Sequence, residues 1–169
     1  TRPSLEPFDT AEPKLVSYRE VPNNLEAEQA LLGALLLNNE AFNRVADFLK
    51  AEHFHLPVHG RVYAAIGRLI DRGQIANPVT LKHMFEGDEA LSDAGGAQYL
   101  ARLAGAAVTI INAQHYGRTI HDLALRRSLI RIGEDMVLNA YEASLDADAN
   151  DQIESVEQQL SNLAEDGLA

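Results

Sequence analysis

The sequence predicts an all-α protein, a compact helical head of about five helices followed by a long antiparallel helical hairpin. Three observations carry the prediction. Apolar residues recur at spacings of three, four and seven, the helical period, in nearly every segment after residue 21. The only β-branched run, Val108-Thr109-Ile110-Ile111, is too short to outweigh its helical flanks. Asn112 to Ala140 contains no proline, and such a helix would extend about 43 Å at a rise of about 1.5 Å per residue, beyond the reach of a small globule.

Residues 1–21 hold Pro3, Pro7 and Pro13 without apolar periodicity and read as a disordered tail. Asn23 and Glu26 have capping-box spacing ahead of a first helix from Leu25 to about Leu37. Leu31, Leu32, Leu35, Leu36 and Leu37 make that helix apolar nearly all round, which places it centrally. A second helix, about 40–50, carries Phe42, Val45, Ala46 and Leu49. A third, about 58–72, follows Pro57 and carries Val58, Val62, Ile66, Leu69 and Ile70, with Gly73 as its left-handed cap. Asn77-Pro78 reads as a turn and Thr80 as the cap of a short helix closed by Gly87. Asp93-Ala94-Gly95-Gly96 reads as a loop before a helix from Ala97 to about Leu103.

The long helix carries two apolar tracks. One is Tyr116, Ile120, Leu123, Ile130 and Val137; the other is Leu125, Leu129, Ile132 and Met136. Two tracks demand two covering surfaces. The last helix, about 152–165 with an Asp151 cap signal, offers Ile153, Val156, Leu160 and Leu163 and is the natural antiparallel partner. Hairpin packing is therefore expected from Ile120, Leu123, Ile153, Val156, Leu160 and Leu163, with ion pairs between Arg126, Arg127 or Arg131 and Glu154 or Glu157. These readings divide the chain into a tail at 1–21, a head at 22–107 and a hairpin at 108–169.

The net charge is −11, and eight acids with no Lys or Arg fall in residues 142–169. An acidic chain with few aromatic residues is a poor phosphate or base binder. With no cysteine, thiolate chemistry, disulfides and Cys-based metal sites are excluded. No signal segment or eighteen-residue apolar run is present, so a cytoplasmic protein without a membrane partner is expected. The three lysines, Lys14, Lys50 and Lys82, do not follow glycine, so no phosphate-cradling Gly-x4-Gly-Lys loop occurs. No serine lies in a Gly-x-Ser-x-Gly turn. Glu52, His53, His55 and His59 are the one cluster rich in metal-ligand types. Pro57 interrupts it, and polar side chains at a loop and helix start explain it better. A free-standing helical protein with a metal at these histidines is nevertheless the alternative reading.

Several segments, in order, resemble the N-terminal domain of bacterial replicative DNA helicases of the DnaB type. They are Pro22-Asn-Asn-Leu25-Glu26-Ala27-Glu28-Gln29-Ala-Leu-Leu-Gly33, His59-Gly-Arg-Val-Tyr63-Ala-Ala-Ile66, Pro78-Val-Thr80-Leu81, Gly95-Gly96-Ala-Gln-Tyr99-Leu100, Asn112-Ala-Gln-His-Tyr116 and Arg126-Arg127-Ser-Leu-Ile130. His53, Asn77 and Val108 depart from the family's usual Asp, Asp and Pro. The resemblance implies a non-catalytic collar domain ending before the linker to an ATPase domain. No catalytic residue, metal or cofactor is expected in this chain, while ATP and Mg belong to the absent motor. The implied partners are a second copy, as a dimer and a trimer of dimers within a hexamer, then primase and a helicase loader, with DNA contacted mainly through the motor. The resemblance assigns the partner interface to Glu26, Tyr99, Arg127, Ile130 and Met136. A helicase-binding domain of primase is a related architecture that these motifs match less well.

Overall fold

The computed structural model describes residues 19–106 and 112–168, which are helical with no strand among them. The run Val108–Ile111, the 107/108 boundary and nearly all of the predicted disordered tail lie outside the described residues. Helix α1 (Leu25–Leu37) is the axis of the head. Its cap is Asn24, one residue later than the capping-box spacing suggests: the Asn24 side chain accepts from the Ala27 N–H at 2.9 Å. Leu31, Leu32 and Leu35 are fully buried, each worth about 1.5–3 kcal/mol in removed apolar surface. Around α1 pack α2 (Pro57–Asp71), α5 (Ala97–Gly105) and the long α6 (Ala113–Glu142).

The predicted second helix is instead a 3-10 segment, Asn39–Arg44, followed by turns. The physical reason is its spacing. Phe42, Val45 and Phe48 recur every third residue, which suits three residues per turn, and Val45 and Phe48 are buried while Ala46 is exposed. Asn39 at its start ties two elements together. Its side-chain amide donates to the Leu35 and Ala76 carbonyls, and its side-chain oxygen accepts from the Ala76 N–H, all at 2.8 Å. The 74–77 loop is thereby fastened to the end of α1.

Two further sequence expectations are corrected. Asn77 is the cap of α3 (Pro78–Met84) rather than part of a free turn, in a reciprocal pair with Thr80 at 2.9 Å each way. Asp93 and Ala94 close a short helix, α4 (Glu89–Ala94), that the Asp88 carboxylate caps through the Leu91 N–H. Only Gly95 and Gly96, with φ of 120° and 62°, form the turn into α5.

Helix α7 (Ala149–Leu168) packs back along α6 to complete the hairpin. Asp148, not Asp151, makes the side-chain bond at its start, to the Asn150 N–H. The seam uses the second apolar track. Leu125 and Leu129 face Leu160, Leu163, Ala164 and Gly167, and Gln152 donates to the Met136 carbonyl at 2.7 Å. Ile120 is corrected: it is 1% exposed within the head core, so the first half of its track docks α6 on the head. Leu123 and Val156 are half-buried and Ile153 is exposed. The expected cross-hairpin ion pairs do not form among the described residues. Arg126 pairs with Asp122 on its own helix at 2.9 Å, and Arg131 donates to Ser128.

Candidate interaction surface

Three faces of α6 follow from about 100° of rotation per residue. Ala113, Gly117, Ile120, His121 and Ala124 are buried against the head. Leu125, Leu129 and Met136 turn toward α7. The remaining face carries Ile130, Gly133, Val137 and Tyr141, and none of the described residues covers it. Ile130 is 38% exposed, Val137 54% and Tyr141 87%. With Glu134 and Leu138 they line a shallow, almost wholly apolar groove of about 600 Å³. Side chains of this kind cost free energy in water, and a contiguous apolar strip marks a contact surface.

Arg127 sits where α6 leaves the head. Its guanidinium donates to the Pro22 and His53 carbonyls, both at 2.8 Å. Burial lowers its pKa, the Glu28 charge opposes that shift, and Arg131 adds to it. Five planar donors fit such a two-carbonyl latch. The side chain assigned to a partner is thus engaged within its own chain and sets how the hairpin meets the head.

Beneath the latch lies a buried polar chain that joins three of the sequence motifs. The Glu28 carboxylate accepts the His55 N–H at 2.7 Å, the Leu56 N–H at 3.3 Å and His59 Nδ1–H at 2.8 Å. On the other side of the ring, Nε2 accepts from the Tyr99 hydroxyl, whose oxygen in turn faces the Gln29 amide. Glu28 and His59 are 1% and 0% exposed. Buried polar atoms need such partners. Among the sequence expectations Glu28 appears only within a motif and carries no role, yet a signal exists: it shares a face with Leu31, Leu32 and Leu35, where an acid requires a buried partner.

The interface residues therefore separate. Ile130 lies on the uncovered strip, and Met136, 41% exposed, lies at its border with the seam. Glu26 is exposed on the first turn of α1, beside His115, Tyr116 and Thr119, away from the strip. Tyr99 is corrected: its ring is 7% exposed and its hydroxyl is engaged with His59, so it cannot itself present a surface.

The histidine cluster also separates. His59 belongs to the polar chain, His55 contributes its backbone N–H, and His53 Nδ1 accepts from the Lys50 N–H. Among the described residues no group of three or more ligand-type side chains could hold a metal ion. His53 instead meets His121 edge-on at 4.8 Å between ring centres, against Phe48. Burial is the main cause that lowers the pKa of both, aided at His53 by His121 and at His121 by Arg118, while Glu52 and Asp166 oppose it. A histidine whose folded pKa lies below its unfolded value of 6.5 binds protons less readily when folded. Stability from this pair is then complete above pH 6.5 and is lost as pH falls through that value toward the folded pKa. Urea unfolding is expected to give a midpoint that drops between pH 7 and pH 5, with the slope reduced in His121→Phe. An equal slope in the variant would remove His121 as its source.

An all-helical head carrying a projecting hairpin with one uncovered apolar face is the class that fold and surface define. Residues 20–122 match the model of the DnaB-like helicase N terminal domain, and the chain belongs to that family. The replicative DNA helicase DnaB of Rickettsia conorii is 47% identical over 150 residues, covering 89% of this chain and 30% of that protein. The crystal structure of the N-terminal domain of DnaB helicase from Mycobacterium tuberculosis superimposes with a TM-score of 0.77 at 31% identity, covering 85% of this chain and 99% of that one. A DnaB-like replicative helicase described with its interactions with primase shares the fold, with a TM-score of 0.65 at 24% identity over 83% of this chain and 31% of that one. The chain thus spans about a third of the length of the curated relatives it matches.

Proposed function

We propose that this chain is the assembly and docking domain of an ATP-dependent replicative helicase. It associates with further copies through the hairpin, as a dimer and then a trimer of dimers within a hexameric collar, and offers the collar's outer surface to primase and to a helicase loader in the cytoplasm. Unwinding, ATP and Mg belong to the motor that accompanies this domain in its relatives. No helix among the described residues is long and apolar enough to cross a membrane. The observation that carries the reading is the uncovered Ile130–Tyr141 strip on a helix whose other two faces are already used.

Ile130→Asp tests it. Placing a carboxylate in an apolar contact costs several kcal/mol of its desolvation unless it is paired, whereas at 38% exposure in the single chain the change is mild. The expected result is native helicity with loss of self-association by sedimentation equilibrium and loss of binding to the cognate primase. Unchanged association of a folded variant would remove the strip from the interface.

A further inference from the structure

The described chain enters the head at a fixed point beside the Ile130–Tyr141 groove. Val21 precedes Pro22, and a proline ring holds the residue before it extended. The Asn23 side chain donates to the Val21 carbonyl at 2.9 Å, and Arg127 donates to the Pro22 carbonyl at 2.8 Å. Pro22 therefore sits at Arg127 of α6. One residue earlier, Val21 is 41% exposed and lines a cavity together with Ile130, Arg131 and Glu134. Ile130 and Glu134 also line the apolar groove. Followed toward its N-terminus, the chain thus leaves the head at the end of the groove.

The other ends of the described segments lie elsewhere. Asn112 precedes α6 about 27 Å from Ile130. Helix α7 ends on the seam side, where an added Cβ at Gly167 would meet Leu125 at 3.4 Å. Of the segments that continue from the described residues, only the one before Arg19 starts within reach of the strip. From Ile130 to Tyr141 the groove runs about 16 Å, which an extended chain covers in about five residues. Counted back from Val21, the apolar cluster Leu15, Val16 and Tyr18 falls opposite Val137, Leu138 and Tyr141. Arg19 and Glu20 fall where Glu134 and Arg131 offer the opposite charges. An extended segment suits a shallow groove on a helix, because its side chains can cover the strip while its backbone groups stay in water.

We propose that residues 15–18 lie along the Ile130–Tyr141 groove of their own chain as a strap, covering that face in the single copy. The consequence for assembly, which rests on the self-association reading above, is that the strap must lift before a second copy can seat. Association is then weakened by the fraction of copies whose strap is docked.

The sequence holds no tryptophan, so Tyr18→Trp places a single reporter on the strap. In the full chain, diluted until it sediments as one copy, the emission is expected to be blue-shifted and shielded from iodide. Adding Val137→Asp, at a residue that is 54% exposed, is expected to return it to the solvent-exposed position with helicity retained. Leu15→Asp with Val16→Asp is expected to tighten self-association by about tenfold, as for a strap docked about nine-tenths of the time. Solvent-exposed emission in the single copy would overturn the strap. Blue emission that appears only as concentration rises would do the same, because it places the segment against a second copy. Blue emission that Val137→Asp leaves unchanged would remove the groove as the docking site. Association no tighter in the Leu15→Asp, Val16→Asp variant would overturn the masking of the strip. A variant that stays a single copy at high micromolar concentration, as the parent chain does, removes the self-association reading instead, and the strap then stands or falls on the emission.

Discussion

His59→Ala is expected to destabilise the head by about 3–5 kcal/mol, the cost of leaving a buried charged group without its partner. The Glu28 carboxylate would keep the His55 and Leu56 N–H groups but lose the ring nitrogen at 2.8 Å, and the Tyr99 hydroxyl would lose its acceptor. The vacated imidazole volume adds a cavity at a residue that is 0% exposed. Tyr99→Phe, which deletes one hydroxyl at the end of the chain, is expected to cost only about 1 kcal/mol. Urea unfolding of the three proteins at pH 7.5 measures both differences. An equal, small effect for the two variants would show that Glu28 finds other compensation, for which the nearby Arg127 charge is the candidate.

That polar chain explains why sequence motifs scattered across the head belong together. Pro22 to Gly33 supplies Glu28 and Gln29, the stretch from His59 supplies the ring, and the Gly95-Gly96 turn starts the helix that brings Tyr99 to it. Their spacing in the sequence carries no trace of this, because residues 31 and 40 apart meet only through packing. Tyr99 accordingly acts within the head, where its hydroxyl ties α5 to α2 and α1.

What the sequence made legible were the features set by local rules. The leucines of α1, the Pro57 start and Gly73 end of α2, and the uninterrupted α6 all follow from period, proline geometry and capping. The segment at about 40–50 reads as α-helical because Phe42, Val45, Ala46 and Leu49 fit a 3.6 period, and only the burial of Phe48 in place of Ala46 points to a period of three. The two tracks on α6 were legible as faces but not as partners. Periodicity assigns Ile120 and Leu125 to different sides of a helix without saying which side meets the head. The arginines show the same limit: Arg127 has the chemistry of an ion-pair donor, yet two backbone carbonyls claim it.

Gly117→Val is expected to cost about 3 kcal/mol, the upper part of the usual range for overpacking a core. A Cβ alone would lie 2.7 Å from Val45 Cγ1 and 3.2 Å from Phe48 Cζ, and Val45 is 0% exposed and, being β-branched, stiff about χ1. Replacing glycine inside a helix returns up to about 1 kcal/mol of propensity, so the contact decides the sign. Relief requires α6 to lift from the 39–49 segment, which strains the Arg127 latch further along the same helix. Val45→Ala supplies the missing space. Alone it is expected to destabilise by leaving a cavity, but combined with Gly117→Val it is expected to return part of the loss, a coupling of about 0.5–3 kcal/mol in the double-mutant cycle. Strict additivity of the two changes, or a stabilising Gly117→Val, would show that α6 does not approach the head at this point. Gly133→Ala in the same helix is expected to move monomer stability in the opposite direction. The two glycines therefore distinguish a point on α6 that the head crowds from one that no described residue approaches.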